Sequence, residues 1–360
     1  MENPFTPTFG IKPEEFASRQ GVMNLIREGV EYQDYEARKI LISGVRGSGK
    51  TVILKDVEKV FNEDVVVFAT AGGSDLLNQI KDELTSKYQI TFNFSLLGNS
   101  ASVQKQTPTS TSGLLKAFAS KVTATFPKRN FILTIDEVSH DDDEVVKLVQ
   151  AVQSVVSDYP QIMLIMAGLP ENVDGLVNGK HTSFLRRSKI RRLGALNPDN
   201  FAKTYVKLFA ETNIAISSAN ASLLANYSYG YPYAIQWLGS EVWKRAKVSG
   251  RVTQNMVEGA NFDLKAVMYE IIKDSVFRNS ELDTHFLSIM AQSPEYPIDV
   301  GYIVEQLDRK AQQIQTYKQR LLNKGLIRNA GHGRLAFMMP YMKEYLNNPI
   351  IDDNFDEWDE

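Results

Sequence analysis

Eight consecutive residues, Gly44-Val45-Arg46-Gly47-Ser48-Gly49-Lys50-Thr51, complete the pattern G-x-x-x-x-G-K-[ST]. Glycines in such a run let backbone N–H groups turn inward around an anion, and a helix starting there aims its positive end at the same charge. Lys50 would neutralise the β- and γ-phosphates, and the Thr51 hydroxyl would ligate Mg2+. All eight residues are therefore expected to hold a nucleoside triphosphate. A second cluster lies 86 positions beyond Lys50, where Phe131-Ile132-Leu133-Thr134-Ile135 runs into Asp136 and Glu137. The apolar run reads as a buried strand. Asp136 at its end is expected to hold Mg2+ through water, and Glu137 to polarise the water that attacks the γ-phosphate. The bland reading of the same two acids is a cap on the helix that begins near Asp141.

Both clusters need a rigid frame. Ile40-Leu41-Ile42-Ser43 is a short apolar strand ahead of the glycines, and residues 50–61 carry Val52, Ile53, Val57, Val60 and Phe61 at helical spacing. Strands are expected at 65–69, 131–135 and 162–166, with helices at 76–84 and 114–122 between them. This alternation implies an α/β P-loop NTPase fold with a parallel sheet in three layers, over 39–194. Ahead of it, residues 1–38 read as a proline-bearing strap and a helix over about 19–37. Residues 91–112, rich in Ser, Thr, Asn and Gln, read as a mobile loop. After Leu193 helical periodicity takes over, so an all-helical lid is expected over 195–279. Three helices and a short hairpin around Ala330-Gly331-His332-Gly333 predict a winged helix over 280–348, and 349–360 form an acidic tail with six acids and no base.

Composition restricts the alternatives. With 43% hydrophobic and 23% charged residues the 360-residue chain can bury a core, which excludes wholesale disorder. A net charge of −3 speaks against a surface basic throughout. Zero cysteines rule out disulfides, thiolate metal sites and a cysteine nucleophile. The histidines at 140, 181, 285 and 332 have no ligand spacing, so no zinc site is expected. No apolar run approaches the length of a membrane span, and a soluble cytoplasmic protein without membrane contact is expected.

The acid after Asp136, a further strand over 161–167, the helical lid and the terminal winged helix together resemble the AAA+ and STAND-related ATPases. The likeness is to their initiator-type, origin-recognition-like group, and it covers most of the chain. It implies ATP and Mg2+ as ligands; no guanine-reading Asn-Lys-x-Asp stands where one would be expected. Asn3-Pro4-Phe5 with Phe16-Ala17-Ser18-Arg19 is similar to the N-terminal box of that family, with Ser18 and Gln20 replacing its Gly and Glu. Gly230-Tyr231-Pro232 resembles the G-x-P motif of STAND-like members, which assigns Pro232 a nucleotide contact. In the family an arginine between the last strand and the lid reaches the γ-phosphate of a neighbouring subunit. Arg186 and Arg187 are the candidates, which implies a homo-oligomer. Where many AAA+ enzymes have a polar residue, this chain has Met166-Ala167-Gly168-Leu169-Pro170, with Asn172 as the substitute. Missing sensors beside intact Walker motifs imply slow turnover, as in a switch.

In the predicted winged helix, Ile314, Tyr317, Leu321 and Leu322 form one apolar stripe and leave Gln312, Gln313, Gln315, Thr316, Gln319 and Arg320 outside. Residues 301–345 hold eight Lys or Arg against three acids. Gln and Arg are side chains that read base edges, so Gln315, Gln319 and Arg320, with Lys318, Arg328 and Arg334 on phosphates, are candidate DNA contacts. A winged helix can equally dock a protein. Three functions are thus open: a switch coupling ATP to DNA or a partner protein, a DNA-loading initiator, or an ATP-bound scaffold that scarcely hydrolyses.

Overall fold

The computed structural model describes residues 2–6, 20–31, 36–72, 75–92, 110–194, 196, 198–277, 279–307, 311–331 and 333–348. The chain divides into two compact units, one of Ala17–Leu193 and one of Met1–Phe16 with Gly194–Glu360. The predicted loop at 91–112 falls mainly outside the described residues, as do most of the N-terminal strap and the whole acidic tail.

The first unit runs α1 (Gln20–Glu31), β1 (Lys39–Ser43), α2 (Lys50–Val60), β2 (Val65–Thr70), α3 (Leu76–Tyr88), α4 (Thr111–Thr125), β3 (Phe131–Val138), α5 (Asp143–Val155), β4 (Ile162–Gly168), α6 (Pro170–Asn178) and β5 (Lys189–Arg192). Its strands pair in parallel in the order β2-β3-β4-β1-β5. Successive side chains of a strand point to opposite faces, and here both faces are apolar. Leu41, Val65, Val67, Leu133, Leu164 and Met166 pack with α3, α4, α5 and α6. Ile40, Ile42, Val66, Ile132, Met163 and Ile165 pack with α1 and α2 on the other side. The result is the three-layered parallel sheet of an α/β P-loop NTPase. Two details depart from expectation. Residues 36–38, expected to close the first helix, form a turn ahead of β1, and the basic run at 189–192 is an edge strand, β5, paired with β1.

The second unit begins with residues 2–6, whose Phe5 is buried against Tyr205 and Phe209. It continues through α7 (Pro198–Glu211), α8 (Ser218–Tyr227), α9 (Pro232–Ala246) and α10 (Gln254–Phe277). Then come α11 (Glu281–Gln292), β6 (Ile298–Asp299), α12 (Val300–Leu307), α13 (Ala311–Asn323), β7 (Ile327–Asn329), β8 (Arg334–Phe337) and α14 (Met342–Asn347). The three strands form an antiparallel sheet in the order β6-β8-β7. The sequence predicts only the last two of them, because β6 is two residues long. Among the described residues, no helix is long and apolar enough to cross a membrane.

Candidate nucleotide-binding site

Strand β1 is flanked by β4 and β5, and its last residue, Ser43, leads straight into the glycine loop. Gly47 and Gly49 have φ of 70° and 89°, a left-handed backbone that a side chain would strain. Gly44 is needed for a different reason. A Cβ there would stand 2.4 Å from Ser48 Oγ and 3.1 Å from Leu193 Cβ. Beyond Gly49 the chain enters α2 with no side-chain cap, so the first N–H groups of the helix are left for a ligand. Lys50 bends back over the loop and donates to the carbonyl oxygens of Gly44 (2.7 Å) and Val45 (2.9 Å). Burial lowers the Lys50 pKa to about 8, and the repulsion of Arg46 adds to this, while the carboxylates of Asp136 and Glu137 oppose it.

Asp136 is 3% exposed at the end of β3, and its Oδ2 accepts a short hydrogen bond from Thr51 Oγ1. Its Oδ1 accepts from the Glu137 backbone N–H at 2.9 Å. Two residues 85 positions apart thus set hard oxygen donors side by side beneath the glycine loop, a donor set that fits Mg2+. Glu137 is exposed, with a positive φ of 54°, and the register of β3 against β4 shifts between Ile135 and Val138. A non-glycine residue in that conformation is strained, and such residues cluster at active sites. The bland reading does not describe these acids, because α5 is capped by Asp142, which accepts from the N–H groups of Glu144 and Val145.

Beside the shift in β3, one position at the end of β4 is closed to side chains. Val138 pairs with Gly168, and a Cβ at 168 would lie 2.6 Å from the Val138 carbonyl oxygen. No side chain fits there. Asn172 sits instead on α6, where its Oδ1 lies 3.2 Å from both Ser139 Oγ and His140 Nδ1. Arg186 and Arg187 are exposed at the end of a 3-10 turn, Ser183–Arg187, just before β5. In the second unit Pro232 is the first residue of α9. The glycine of that motif is demanded by the backbone, since a Cβ on Gly230 would lie 2.0 Å from the Leu196 carbonyl oxygen.

Of the candidate DNA contacts, Gln315, Gln319, Arg328 and Arg334 are exposed and Lys318 is half-buried. Gln319 Nε2 donates to Asn323 Oδ1 at 2.7 Å. Arg320 is engaged within the protein. Its Nε lies 2.8 Å from both carboxylate oxygens of Asp283, its Nη2 also binds that carboxylate, and its guanidinium stands over the Tyr317 ring. Asp283 is fully buried and takes a further bond from Lys324 at 3.1 Å. Burial pushes the Asp283 carboxyl up, but the hydrogen bonds and charges of Arg320 and Lys324 outweigh it and hold the group below its usual range. Arg320 therefore helps to compensate a buried charge, and turning it to DNA would leave that carboxylate to Lys324 alone. The sequence marks one half of the pair, the buried acid, and not its partner. Ser280 and Asp283 have capping-box spacing, and Asp283 shares a helix face with Phe286, Leu287 and Met290.

A family model described as a domain of unknown function (DUF8462) matches residues 271–346. No curated protein matches the chain. Among solved structures, the Walker-type ATPase PABY2304 of Pyrococcus abyssi is similar at 14% identity and a TM-score of 0.69, over 93% of this chain and 97% of that one. The ORC2 protein of Aeropyrum pernix, in ADPNP-ADP complexes, is similar at 14% identity and a TM-score of 0.61, over 95% and 96%. At such identities the likeness speaks for the fold alone, an α/β P-loop NTPase fold.

Proposed function

We propose that this chain binds Mg-ATP at Gly44–Thr51 and hydrolyses it slowly, as a molecular switch whose nucleotide state is read out by its second unit. The observation that carries the reading is the Thr51 hydroxyl on the Asp136 carboxylate, beside a buried lysine and a glycine loop. In this reading the loop N–H groups and Lys50 hold the β- and γ-phosphates. Thr51 and Asp136 hold Mg2+, which when bound supplies charge neutralisation between those phosphates. Glu137 takes a proton from the attacking water as its oxygen bonds to the γ-phosphorus and the bond to the β–γ bridging oxygen breaks, leaving ADP and phosphate. Arg186 or Arg187 would serve a neighbouring copy, and Pro232 would touch nucleotide. The ATPase name of the Pyrococcus neighbour and the ADPNP and ADP of the Aeropyrum one agree with this chemistry.

The order α11-β6-α12-α13-β7-β8, with the sheet order β6-β8-β7, supports reading the end of the second unit as a winged helix. Its partner would be DNA, through Gln315, Lys318, Gln319, Arg328 and Arg334, or a protein. With the Arg320 charge paired to Asp283, the exposed face of α13 is largely neutral, which favours a protein partner. The deciding experiment is Mg-ATP binding and turnover over a range of protein concentrations. Lys50→Ala should weaken binding about 10- to 100-fold, the loss of a charge-assisted contact of ~1.5–3 kcal/mol. Glu137→Gln should keep binding and lower turnover by about 10² or more. Turnover that climbs faster than concentration and is lost in Arg186→Ala or Arg187→Ala supports a finger acting between copies. Undiminished ATP binding by Lys50→Ala would overturn the reading.

A further inference from the structure

The residues that follow the bulge in β3 are gripped from one side by the β4–α6 segment. Gly168 lies beneath the Val138 carbonyl with no room for a Cβ. Asn172, in the first turn of α6, places Oδ1 3.2 Å from Ser139 Oγ and 3.2 Å from His140 Nδ1. An amide oxygen only accepts, so Ser139 donates to it, and the Nδ1 edge of His140 faces the same oxygen. The other ring nitrogen, Nε2, lies 3.3 Å from Asp141 Oδ1. Gly175, three residues beyond Asn172 and so on the same face of α6, makes room for the ring. A Cβ at 175 would stand 2.5 Å from His140 Cγ and 2.8 Å from its Nδ1. Gly175 has an ordinary helical backbone, so only the approach of His140 asks for glycine at this position.

We infer that Asn172 and His140, seated on Gly175, form a clamp that positions Glu137 for its part in hydrolysis. Glu137 immediately precedes the gripped residues and holds a left-handed backbone that persists only where its surroundings over-determine it. Gly168, Asn172 and Gly175 supply that determination. Neither clamp residue touches the reacting atoms; both act through the chain from Val138 to His140. This inference rests on the ATPase reading and assigns the loop geometry to side chains outside both motifs.

The test compares full-length wild type with Asn172→Ala, His140→Ala, Gly175→Ala and the double variant His140→Ala/Gly175→Ala, measuring Mg-ATP affinity and single-turnover hydrolysis. Each single variant should bind Mg-ATP within about twofold of wild type and hydrolyse it about 10- to 100-fold more slowly, the scale of a small misplacement at a reacting centre. Gly175→Ala should melt within a few degrees of wild type, because the roughly 1 kcal/mol that alanine gains in a helix offsets much of the cost of displacing an exposed ring. In the double variant Gly175→Ala should add nothing to His140→Ala, since no ring is left to displace. Wild-type hydrolysis in Gly175→Ala, equal losses in affinity and rate, or multiplied effects in the double variant would overturn the clamp while leaving the ATPase reading intact. Wild type no faster than Glu137→Gln would remove the ATPase reading itself, and the clamp with it.

Discussion

Lys50 with Asp136 and Arg320 with Asp283 are the same kind of pair, a cation and a nearly inaccessible aspartate, and they end in opposite electrostatic states. Asp283 has both oxygens met by Arg320 and receives Lys324 as well, so its charge is compensated twice and its pKa falls. Asp136 is met by a hydroxyl and a backbone N–H, both neutral. Lys50 is met by two carbonyl oxygens and feels the carboxylates through space, and burial wins, taking its pKa to about 8. A closed pair holds a fold together, whereas an open one is poised for a charge that arrives from outside. Mg2+ would complete Asp136, and phosphate would complete Lys50.

The comparison is broken most directly at the two aspartates. Asp283→Ala strands Arg320 and Lys324 beside a cavity and should cost the second unit about 3–5 kcal/mol, read as a lower urea midpoint. Asp136→Asn leaves an amide able to accept from Thr51 and should cost less than about 1 kcal/mol, while removing the dependence of nucleotide binding on Mg2+. Equal stability losses would mean that the open pair is structural too. A smaller effect separates the arginines of the C-terminal module. Arg320→Ala should destabilise by about 1.5–3 kcal/mol, the worth of hydrogen bonds to a buried charge. Arg328→Ala and Arg334→Ala, both exposed, should stay within about 0.5 kcal/mol. If the module does bind DNA, each of the latter two should lower the slope of log affinity against log salt by about 1.

This contrast also explains what the sequence made legible. The glycine loop could be read because its chemistry fixes residue type and order at once: Gly47 and Gly49 need a left-handed backbone, and Lys50 and Thr51 need the start of a helix. The β3 strand with its terminal acids was legible for the same reason, as was the alternation that builds the sheet. Long-range partners leave no such mark. Arg320 stands among glutamines on the predicted outer face of a helix, and Asp283, 37 positions away, decides what it does. Strand β5 was hidden because its Lys-Ile-Arg-Arg resembles a solvated basic run, yet an edge strand can expose both arginines. The absent polar residue at the end of β4 reads in sequence as a lost sensor. In the structure the Val138 carbonyl closes one position of that end, Gly168, to any side chain.

A change of pH bears on the open pair alone, and its effect has two signs. The free protein holds Lys50 near pKa 8, so the ammonium is about nine-tenths populated at pH 7 and about one-tenth at pH 9. The γ-phosphate, with a second pKa of about 6, keeps its charge over that range. Nucleotide affinity should therefore fall about tenfold from pH 7 to pH 9, with proton uptake on binding that grows above pH 8. Lys50→Arg, whose side chain stays charged, should lose this dependence whatever its affinity. Stability without nucleotide should move the other way. The unfolded chain, with Lys50 near 10.5, binds the proton more tightly than the folded one between about pH 8 and 10.5. The Lys50 contribution to stability should thus rise with pH through that window, being most unfavourable below it. An affinity flat from pH 7 to 9 in wild type would mean that Lys50 is compensated before nucleotide arrives, and the two pairs would then be alike.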